Sequence, residues 1–502
     1  MIDNHDAARE LELVFALAGP VGADLEEVSR TLADALKQSD YARVEEISTS
    51  TLIEQIAPRL TSIHLEASPE ERRIATQIDA ANAIRRVVQD PAAIACAALT
   101  SIRARRAGGM PSRRAYILRS LKRPEEVHLL RSIYGAGFFL IGVNVPRPHR
   151  VESLARHIAR SHNETPASPN FRQHLASAEA LTKRDEDEAN DEYGQRLRDV
   201  FQLCDLFVAP TDSLFAQIDR FVRLILGDLG ETPWSDEQFM FQAFASSLSS
   251  GALGRQVGAI LVSPTREVLG IGWNDVPKAG GGLYRADESY DRRDIHEERD
   301  SVNVHADQIL NELLEMAAAA GWPRVENARE VFRKSRVMSL LEFGRTSHAE
   351  MEAMSAAGRI GVSTRGATLY TTTFPCHQCA RQIVTAGIRR VVYIEPYPKS
   401  RALELHRDAI HAYDEAAAPH PEAVRFEPFL GIAPHRYTTL FSLTTSAGVA
   451  RDRKTKTTGE RIRWNARTSL PKVEMLPLSY IDLEARALYQ LKKLLNPVSD
   501  GG

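Results

Sequence analysis

The sequence predicts an α/β protein with two domains, an N-terminal domain on a parallel sheet (residues 1–230) and a C-terminal α/β/α domain on a mixed sheet (residues 231–502). Three observations predict this. The length of 502 residues exceeds what one hydrophobic core usually serves. Short apolar runs alternate with helical patterns in the first half, which is typical of a parallel sheet. A polar stretch punctuated by Gly and Pro, Gly227–Pro233, marks a boundary.

In the first half, Leu11–Ala18 is an apolar run that suits a buried strand, and Gly19–Gly22 ends it before a helical pattern begins at Ala23. Two later apolar runs also predict strands, Gly137–Val143 and Leu203–Val208. The polar segment 161–195 is interpreted as a solvated helix or loop, with a mobile flap as the alternative.

The second half begins with a helical pattern over Asp236–Ser250. Apolar, strand-forming runs follow at Val257–Val262, Val268–Trp273, Ala367–Thr372 and Val391–Ile394, the first two of which predict a hairpin. Between the hairpin and the later strands, the charged segment Asp275–Thr346 is interpreted as an insertion with one or two helices, one of them around Ile309–Ala320. A further helix is expected from Cys379 to Gly387.

Composition indicates a soluble globular protein, with 43% hydrophobic and 26% charged residues. The formal net charge of −3 shows no global basic field for a nucleic-acid partner, although a local patch such as Arg451–Lys456 remains open. We find neither a run of ~20 apolar residues nor the pattern of a secretory leader, and therefore expect no membrane partner and a cytoplasmic location. Four cysteines do not make a disulfide scaffold, and Cys96 and Cys204 lie in apolar runs that predict burial.

The most informative feature is His348-Ala349-Glu350 followed, about 27 positions later, by Pro375-Cys376-His377-Gln378-Cys379. Zinc prefers nitrogen and sulfur ligands in tetrahedral geometry, and a catalytic zinc takes three of them from protein. His348, Cys376 and Cys379 supply such a set, because two cysteines separated by two residues at a helix start can share one ion. The N-terminus of that helix also favours thiolates. We therefore predict one catalytic Zn²⁺ as the cofactor, with water at the fourth position.

Glu350 lies two residues after the histidine, where it can point into the same pocket without binding the metal. A catalytic zinc lowers the pKa of its water from ~15.7 to about 7. The predicted role of Glu350 is to move a proton from that water to ring N3 and then to the departing amino group. This combination of motifs is typical of zinc-dependent nucleobase deaminases. A redox Cys-x-x-Cys or a closed structural zinc site is the alternative, and neither would give Glu350 a purpose.

These residues resemble the deoxycytidylate deaminase branch of the cytidine deaminase superfamily. The similar segments are His348–Met354, Thr368–Tyr393, Arg255–Ile260 and Gly272–Pro277. The resemblance implies that Asn274 hydrogen-bonds the deoxyribose and that the Ala349 N–H binds the base carbonyl. Trp273 stands where that branch usually has Tyr. Some members hold a second zinc through cysteines between Asn274 and His348, and since this chain has none there, we expect a single zinc.

Further segments of interest are Arg119–Tyr134, Arg184–Glu186, Tyr397–Ser400 and Gly431–Pro434. With them, the chain resembles the bacterial anti-phage dCTP/dCMP deaminases, in which a P-loop-kinase-like domain precedes the deaminase domain. It implies a deoxycytidine nucleotide substrate, defence by nucleotide depletion, a small inhibitory RNA partner and a homo-oligomer. Lys399 and Arg255 are candidate phosphate contacts, with a solvated lysine and a structural salt bridge as the respective alternatives.

A working phosphate loop reads G-x-x-x-x-G-K-[ST]. Here the loop after the first strand is Gly19-Pro20-Val21-Gly22-Ala23-Asp24-Leu25-Glu26, which puts Leu25 and Glu26 at the Lys and hydroxyl positions. We therefore expect no kinase activity, and a degenerate N-terminal domain that serves as a scaffold or regulator, with nucleotide binding in an altered mode still open.

Two other functions compete with a nucleotide deaminase. A base deaminase acting on tRNA or single-stranded DNA would share the zinc chemistry but needs a basic, aromatic groove for the strand. A catalytically silent binding or sensor protein is the other alternative, and the intact set of His348, Glu350, Cys376 and Cys379 argues against it.

Overall fold

The computed structural model describes most of the chain. The described residues are 11–106, 113–186, 188, 191–297, 301–322, 327–333, 335, 343–397, 399–413, 420–445, 448–473 and 477–495. Residues 1–10, parts of the predicted insertion and Pro398 lie outside them. None of the helices in the described part of the chain combines the length and apolar character that a membrane span requires.

Contacts within the chain divide it into two units, residues 1–237 with 430–502 and residues 238–429. The sequence predicts a single C-terminal domain over residues 231–502, whereas these contacts place residues 430–502 in the first unit. The difference has a physical cause in two buried contacts. Gly431–Ile432 pairs with a strand of the first unit, and the Glu484 carboxylate accepts from the guanidinium of Arg106, at 2.8 and 2.9 Å. Neither contact leaves a pattern in the local sequence.

The first unit contains a six-stranded sheet in the order β12-β5-β4-β1-β3-β2. Its strands are β1 (Leu13–Ala18), β2 (Arg43–Ser48), β3 (Arg114–Arg119), β4 (Phe138–Val143), β5 (Leu206–Val208) and β12 (Gly431–Ile432). All pairings among β1 to β5 are parallel, and β12 adds an antiparallel edge. Every residue of β1 and β4 is buried, as expected for central strands covered on both faces.

Helices flank this sheet. They are α1 (Leu25–Gln38), α2 (Thr49–Leu60), α3 (Glu70–Val88), α4 (Ala93–Arg106), α5 (Pro124–Tyr134), α6 (Arg147–Ser161), α7 (Phe171–Glu186), α8 (Leu197–Phe201), α9 (Leu214–Ile225), α17 (Pro434–Phe441) and α18 (Pro477–Leu495). Helix α10 (Ser235–Ser247) contains the boundary between the units. The predicted burial of Cys96 and Cys204 is confirmed.

The second unit contains a mixed six-stranded sheet in the order β10-β11-β9-β8-β6-β7. Its strands are β6 (Gly258–Val262), β7 (Val268–Trp273), β8 (Thr368–Thr373), β9 (Arg390–Glu395), β10 (Ile410–Ala412) and β11 (Val424–Pro428). Strand β6 runs antiparallel to both β7 and β8, which confirms the predicted hairpin, whereas β8, β9, β11 and β10 run parallel. The prediction of an α/β chain with a mixed second sheet is confirmed.

The helices of the second unit are α11 (Asp294–Glu297), α12 (Ser301–Ala319), α13 (Ala328–Arg333), α14 (Ala349–Arg359), α15 (His377–Thr385) and α16 (Ala402–Leu405). The first three lie in the predicted insertion. Helix α12 contains most of the segment where a helix was expected, and the described residues add two shorter helices to it.

Candidate active site

Two helix starts of the second unit hold the metal-ligand candidates. His348 is the N-cap of α14 and Cys376 is the N-cap of α15, so both lie where the helix dipole is positive. Strand β8 ends three residues before Cys376, and Phe374-Pro375 connects the two. The Phe374 N–H donates to the Glu395 carbonyl at 2.7 Å, which holds this connection in place. These two capped starts fix the direction in which the imidazole and the thiols point.

The three predicted ligands come together. His348 Nδ1 lies 3.2 Å from the Cys379 sulfur and 3.3 Å from the Cys376 sulfur. One ligand atom from each residue lies within 4.8 Å of the others. Zinc bonds of about 2.0 Å to nitrogen and about 2.3 Å to sulfur give a tetrahedron with edges of about 3.5 Å, which these separations approach. The residues present therefore fit a zinc ion held by one nitrogen and two sulfurs.

The electrostatics of this cluster suit a cation. The pKa of the Cys376 thiol is lowered to about 4, first because the Cys379 side chain hydrogen-bonds it and also because His348 lies beside it. The pKa of Cys379 is raised by burial. The same Cys376 contact raises the pKa of His348. The lowered pKa of Cys376 favours its thiolate form, and a divalent cation in contact with Cys379 would deprotonate that thiol as well.

Glu350 lies beside the cluster, in the first turn of α14. Its side chain is buried and its Oε2 accepts from the Cys379 thiol at 3.5 Å. Burial raises its pKa above the usual range for a carboxyl. A carboxyl that holds a proton more tightly than in water is suited to taking up and releasing protons near neutral pH.

Close packing of α14 on β7 sets the position of His348 and Glu350. A Cβ atom added to Gly272 would lie 2.1 Å from the Ala349 carbonyl oxygen, and one added to Gly270 would lie 2.0 Å from the Ala353 carbonyl oxygen. Ala349 and Ala353 have no exposed surface. The two glycines therefore let the helix backbone rest directly on the strand. We did not predict this role, although the alternation Val-Leu-Gly-Ile-Gly-Trp was visible in the sequence.

The predicted substrate-binding residues are placed as follows. Asn274 directly follows β7, and its neighbour Asp275 pairs with Ser347, one residue before His348. The Asn274 Oδ1 accepts from the Val257 N–H and its Nδ2 donates to the Arg255 carbonyl, both at 2.7 Å. The amide thus clamps the 255–257 segment and keeps one N–H and one lone pair for another partner. Its predicted contact to deoxyribose stays a prediction.

Arg255 and Lys399 differ in their surroundings. The Arg255 side chain is 56% exposed and its Nη1 lies 3.3 Å from the Glu395 carboxylate, which matches the salt-bridge alternative while leaving other guanidinium N–H groups for a ligand. Lys399 is exposed. The contact of Glu395 with Arg255 was not predicted from the sequence, because a charged residue at the end of a strand has no distinguishing pattern. Burial raises its pKa, and Arg255 opposes that shift.

The region that contains this cluster is similar to known proteins. Residues 233–395 match the family described as the cytidine and deoxycytidylate deaminase zinc-binding region. The second half of the chain therefore contains a region similar to that family. ComE operon protein 2 of Bacillus subtilis is 49% identical to it over 53 residues, which are 11% of this chain and 28% of that protein. Human deoxycytidylate deaminase is 25% identical over 183 residues, which are 36% of this chain and 70% of the human protein.

The matches to this region cover limited lengths. The deoxycytidylate deaminase of Enterobacteria phage T4 is 46% identical over 54 residues, and the chain spans under a third of the phage protein and of the Bacillus protein. A solved structure of dCMP deaminase from the cyanophage S-TIM5, in complex with dCMP and dUMP, is 19% identical with a TM-score of 0.24. It covers 40% of this chain and 99% of its own.

The close contact between Gly272 of β7 and helix α14 yields a prediction. We expect Gly272→Ala to lower the free energy of unfolding by about 1–3 kcal/mol, because the added methyl group overpacks the interface between α14 and β7. The helix would shift and carry His348 with it, so the variant should also retain less zinc. Thermal unfolding and metal analysis measure both effects. Gly358→Ala, on helix α14 itself, is the control, since a Cβ there meets nothing within 4 Å. Equal behaviour of the two variants would contradict the packing argument.

Proposed function

We propose that this protein is a zinc-dependent hydrolase that converts deoxycytidine nucleotides, dCMP or dCTP, to deoxyuridine nucleotides and ammonia. The observation that carries the proposal is the buried Glu350 carboxyl in contact with a His348, Cys376 and Cys379 cluster of zinc-binding geometry. The match of residues 233–395 to cytidine and deoxycytidylate deaminases supports the same chemistry.

His348, Cys376 and Cys379 would hold the zinc ion, which when bound supplies a water acidic enough to lose a proton near pH 7. Glu350 accepts that proton and delivers it to ring N3 of the cytosine. It then takes the remaining proton of that water from the hydroxyl now on C4 and delivers it to the amino group, which leaves as ammonia while the oxygen stays on C4 as a carbonyl. Overall, one water is consumed and one C–N bond is broken. The raised pKa of Glu350 suits a group that both takes and gives protons.

The other proposed residues bind and orient the substrate. Ala349 offers its backbone N–H to the base carbonyl and Asn274 binds the deoxyribose. Arg255 and Lys399 are proposed to meet the phosphate, since both carry positive charge on exposed side chains of the deaminase domain. Relatives named deoxycytidylate deaminases support dCMP as substrate. The extension to dCTP follows from the resemblance to anti-phage deaminases.

That same resemblance underlies the wider role in our proposal. It comprises nucleotide depletion in antiviral defence, a homo-oligomer, restraint by a small RNA, and a first unit that serves as scaffold or regulator.

A substrate panel tests the proposal. Purified full-length protein is incubated with dCMP, dCTP, CMP, CTP and a cytosine-containing single-stranded oligonucleotide, and ammonia release is followed. We expect turnover of dCMP or dCTP and little of the ribonucleotides. Turnover restricted to the oligonucleotide would replace the proposal with a polynucleotide base deaminase. No turnover of any of the five by protein with a full complement of zinc would favour a silent binding protein.

A further inference from the structure

The first unit contains a cavity of about 570 Å³, a volume within the range of small-molecule sites. It lies at the carboxyl ends of β1, β2 and β3, since its lining includes Gly19–Glu26 after β1, Ser48 at the end of β2, and Arg119 at the end of β3. The crevice outside the carboxyl ends of strands is where open α/β sheets bind ligands.

The Gly19–Glu26 loop is closed to phosphate by a carboxylate of the chain itself. Asp185, from α7, is buried, and its Oδ2 accepts from the Val21 N–H at 2.8 Å. Lys122 lies 2.7 Å from the other Asp185 oxygen and donates to the Gly19 carbonyl at 2.9 Å. Asp185 therefore takes one backbone donor and one cation that an incoming phosphate would use, and its charge repels a second anion.

The other cations of the cavity lining are also paired with carboxylates. Arg85 lies 2.8 Å from Glu126 and Arg73 lies 2.6 Å from Glu70. The Arg119 guanidinium lies 3.7 Å from the Glu26 carboxylate and 3.7 Å from the Glu46 carboxylate. Four cations thus meet at least four carboxylates, so the lining has no excess of positive charge. The cavity suits an uncharged ligand.

Two buried polar atoms of the lining lack a partner in the described part of the chain. Gln195 is 3% exposed, and its side-chain oxygen accepts no hydrogen bond there. Arg85 is 2% exposed, and its Nε donates to nothing there. A buried acceptor without a donor destabilises the fold, and a ligand with an N–H group would satisfy it. A phosphate brings acceptor oxygens and leaves the Gln195 oxygen unsatisfied.

The remaining lining is mixed: polar side chains such as Thr49 and Gln77 lie among a group of large apolar ones, Ile53, Ile74, Ile78, Ile94 and Leu154. Apolar walls beside a buried donor and a buried acceptor are suited to a flat heterocycle with both kinds of group on its edge. We infer that this cavity is a binding site for an uncharged nucleoside, with the Gln195 side-chain oxygen accepting an N–H of the base. The site is separate from the deaminase chemistry and does not depend on the proposed function.

Calorimetric titration of the full-length protein tests this inference. The probes are thymidine, deoxyuridine, deoxyadenosine and deoxyguanosine, with ATP and inorganic phosphate for comparison. We expect at least one nucleoside to bind, and neither ATP nor phosphate to displace it. Failure of all four nucleosides to bind at about 1 mM, or their displacement by phosphate, would overturn the inference.

A matched pair of variants locates the site. Gln195→Leu should weaken nucleoside binding by roughly tenfold or more, because a ligand N–H would lose its partner. Gln217→Leu is the control, since Gln217 is also buried, also has an unpartnered side-chain oxygen within the described residues, and lies outside this cavity lining. Equal affinities for the two variants would exclude Gln195 from the site.

Hydrogen exchange provides a measurement that does not depend on a variant folding. We expect an added nucleoside to slow exchange in residues 19–26 and 48–50, which line the cavity. Slowing confined to residues 348–395 would instead mean that the nucleoside occupies the deaminase domain, and would contradict the inference.

Discussion

Replacing Glu350 with glutamine is expected to lower kcat for dCMP or dCTP by about 10²–10⁴-fold, the usual contribution of a positioned acid–base group. Glutamine has nearly the same shape, so it fits the buried position of Glu350 beside Cys379. It cannot take up a proton. Zinc content should therefore remain that of the native protein, and ammonia release under saturating substrate measures the loss.

Glu352→Gln is the matched control for Glu350→Gln. Glu352 lies on the same helix, is also buried, and contacts Arg359 instead of the metal-ligand cluster. We expect this variant to keep its turnover and to lose some stability, because it weakens a partly buried ion pair. If Glu350→Gln retained native turnover, or if Glu352→Gln lost as much, Glu350 would not be the group that transfers protons.

The clustering of His348, Glu350 and the two cysteines was predictable, because a metal site of this kind requires fixed short spacings in the sequence. Two cysteines three positions apart at a helix start can share one ion, and a glutamate two positions after a histidine ligand falls on the same turn. Strands such as β7 and β8 were also predictable from local sequence, because a run of apolar and β-branched residues is typical of a buried strand. The structure places Cys376, Cys379, His348 and Glu350 within contact distance, as that reasoning required.

Features that depend on contacts between distant parts of the chain were not predictable. The Val21 N–H meets Asp185 across 164 positions, and the Arg106 guanidinium meets Glu484 across 378. Neither Asp185 nor Glu484 lies in a distinctive local sequence. The role of each depends on the distant residue that the fold brings into contact with it. The phosphate loop shows the consequence. Its sequence indicates only that the Lys and hydroxyl are missing, whereas the fold shows that Asp185 occupies the loop.

Gly272 presents an intermediate case. A glycine inside a strand suggests a close backbone approach, but the local sequence does not say which element approaches. The answer, the carbonyl of Ala349, matters because that residue lies between His348 and Glu350. Strand β7 therefore takes part in the catalytic geometry without contributing a metal ligand.

Removal of a zinc ligand is expected to have the second large effect. Cys376→Ser should lose most of its bound zinc and its deaminase activity, because the hydroxyl of serine is a far poorer zinc ligand than a thiolate. The lowered pKa of Cys376 makes it the sulfur that is charged before metal arrives. Metal analysis after dialysis and ammonia release are the two measurements. Native zinc content in this variant would show that Cys376 is not a ligand.

Cys96→Ser is the control for that substitution, since Cys96 is equally buried and burial raises its pKa to about 12, where it cannot act as a thiolate. It should keep its zinc. Stability separates the two variants further. Free zinc at about 1,000 times its Kd stabilises a folded protein by roughly 4 kcal/mol, so a chelator should lower the unfolding temperature of the native protein and of Cys96→Ser. Cys376→Ser should not respond, because it has no ion to lose. A chelator response equal in all three proteins would mean that the ion sits elsewhere, and the reaction assigned to Glu350 would then lack its acidic water.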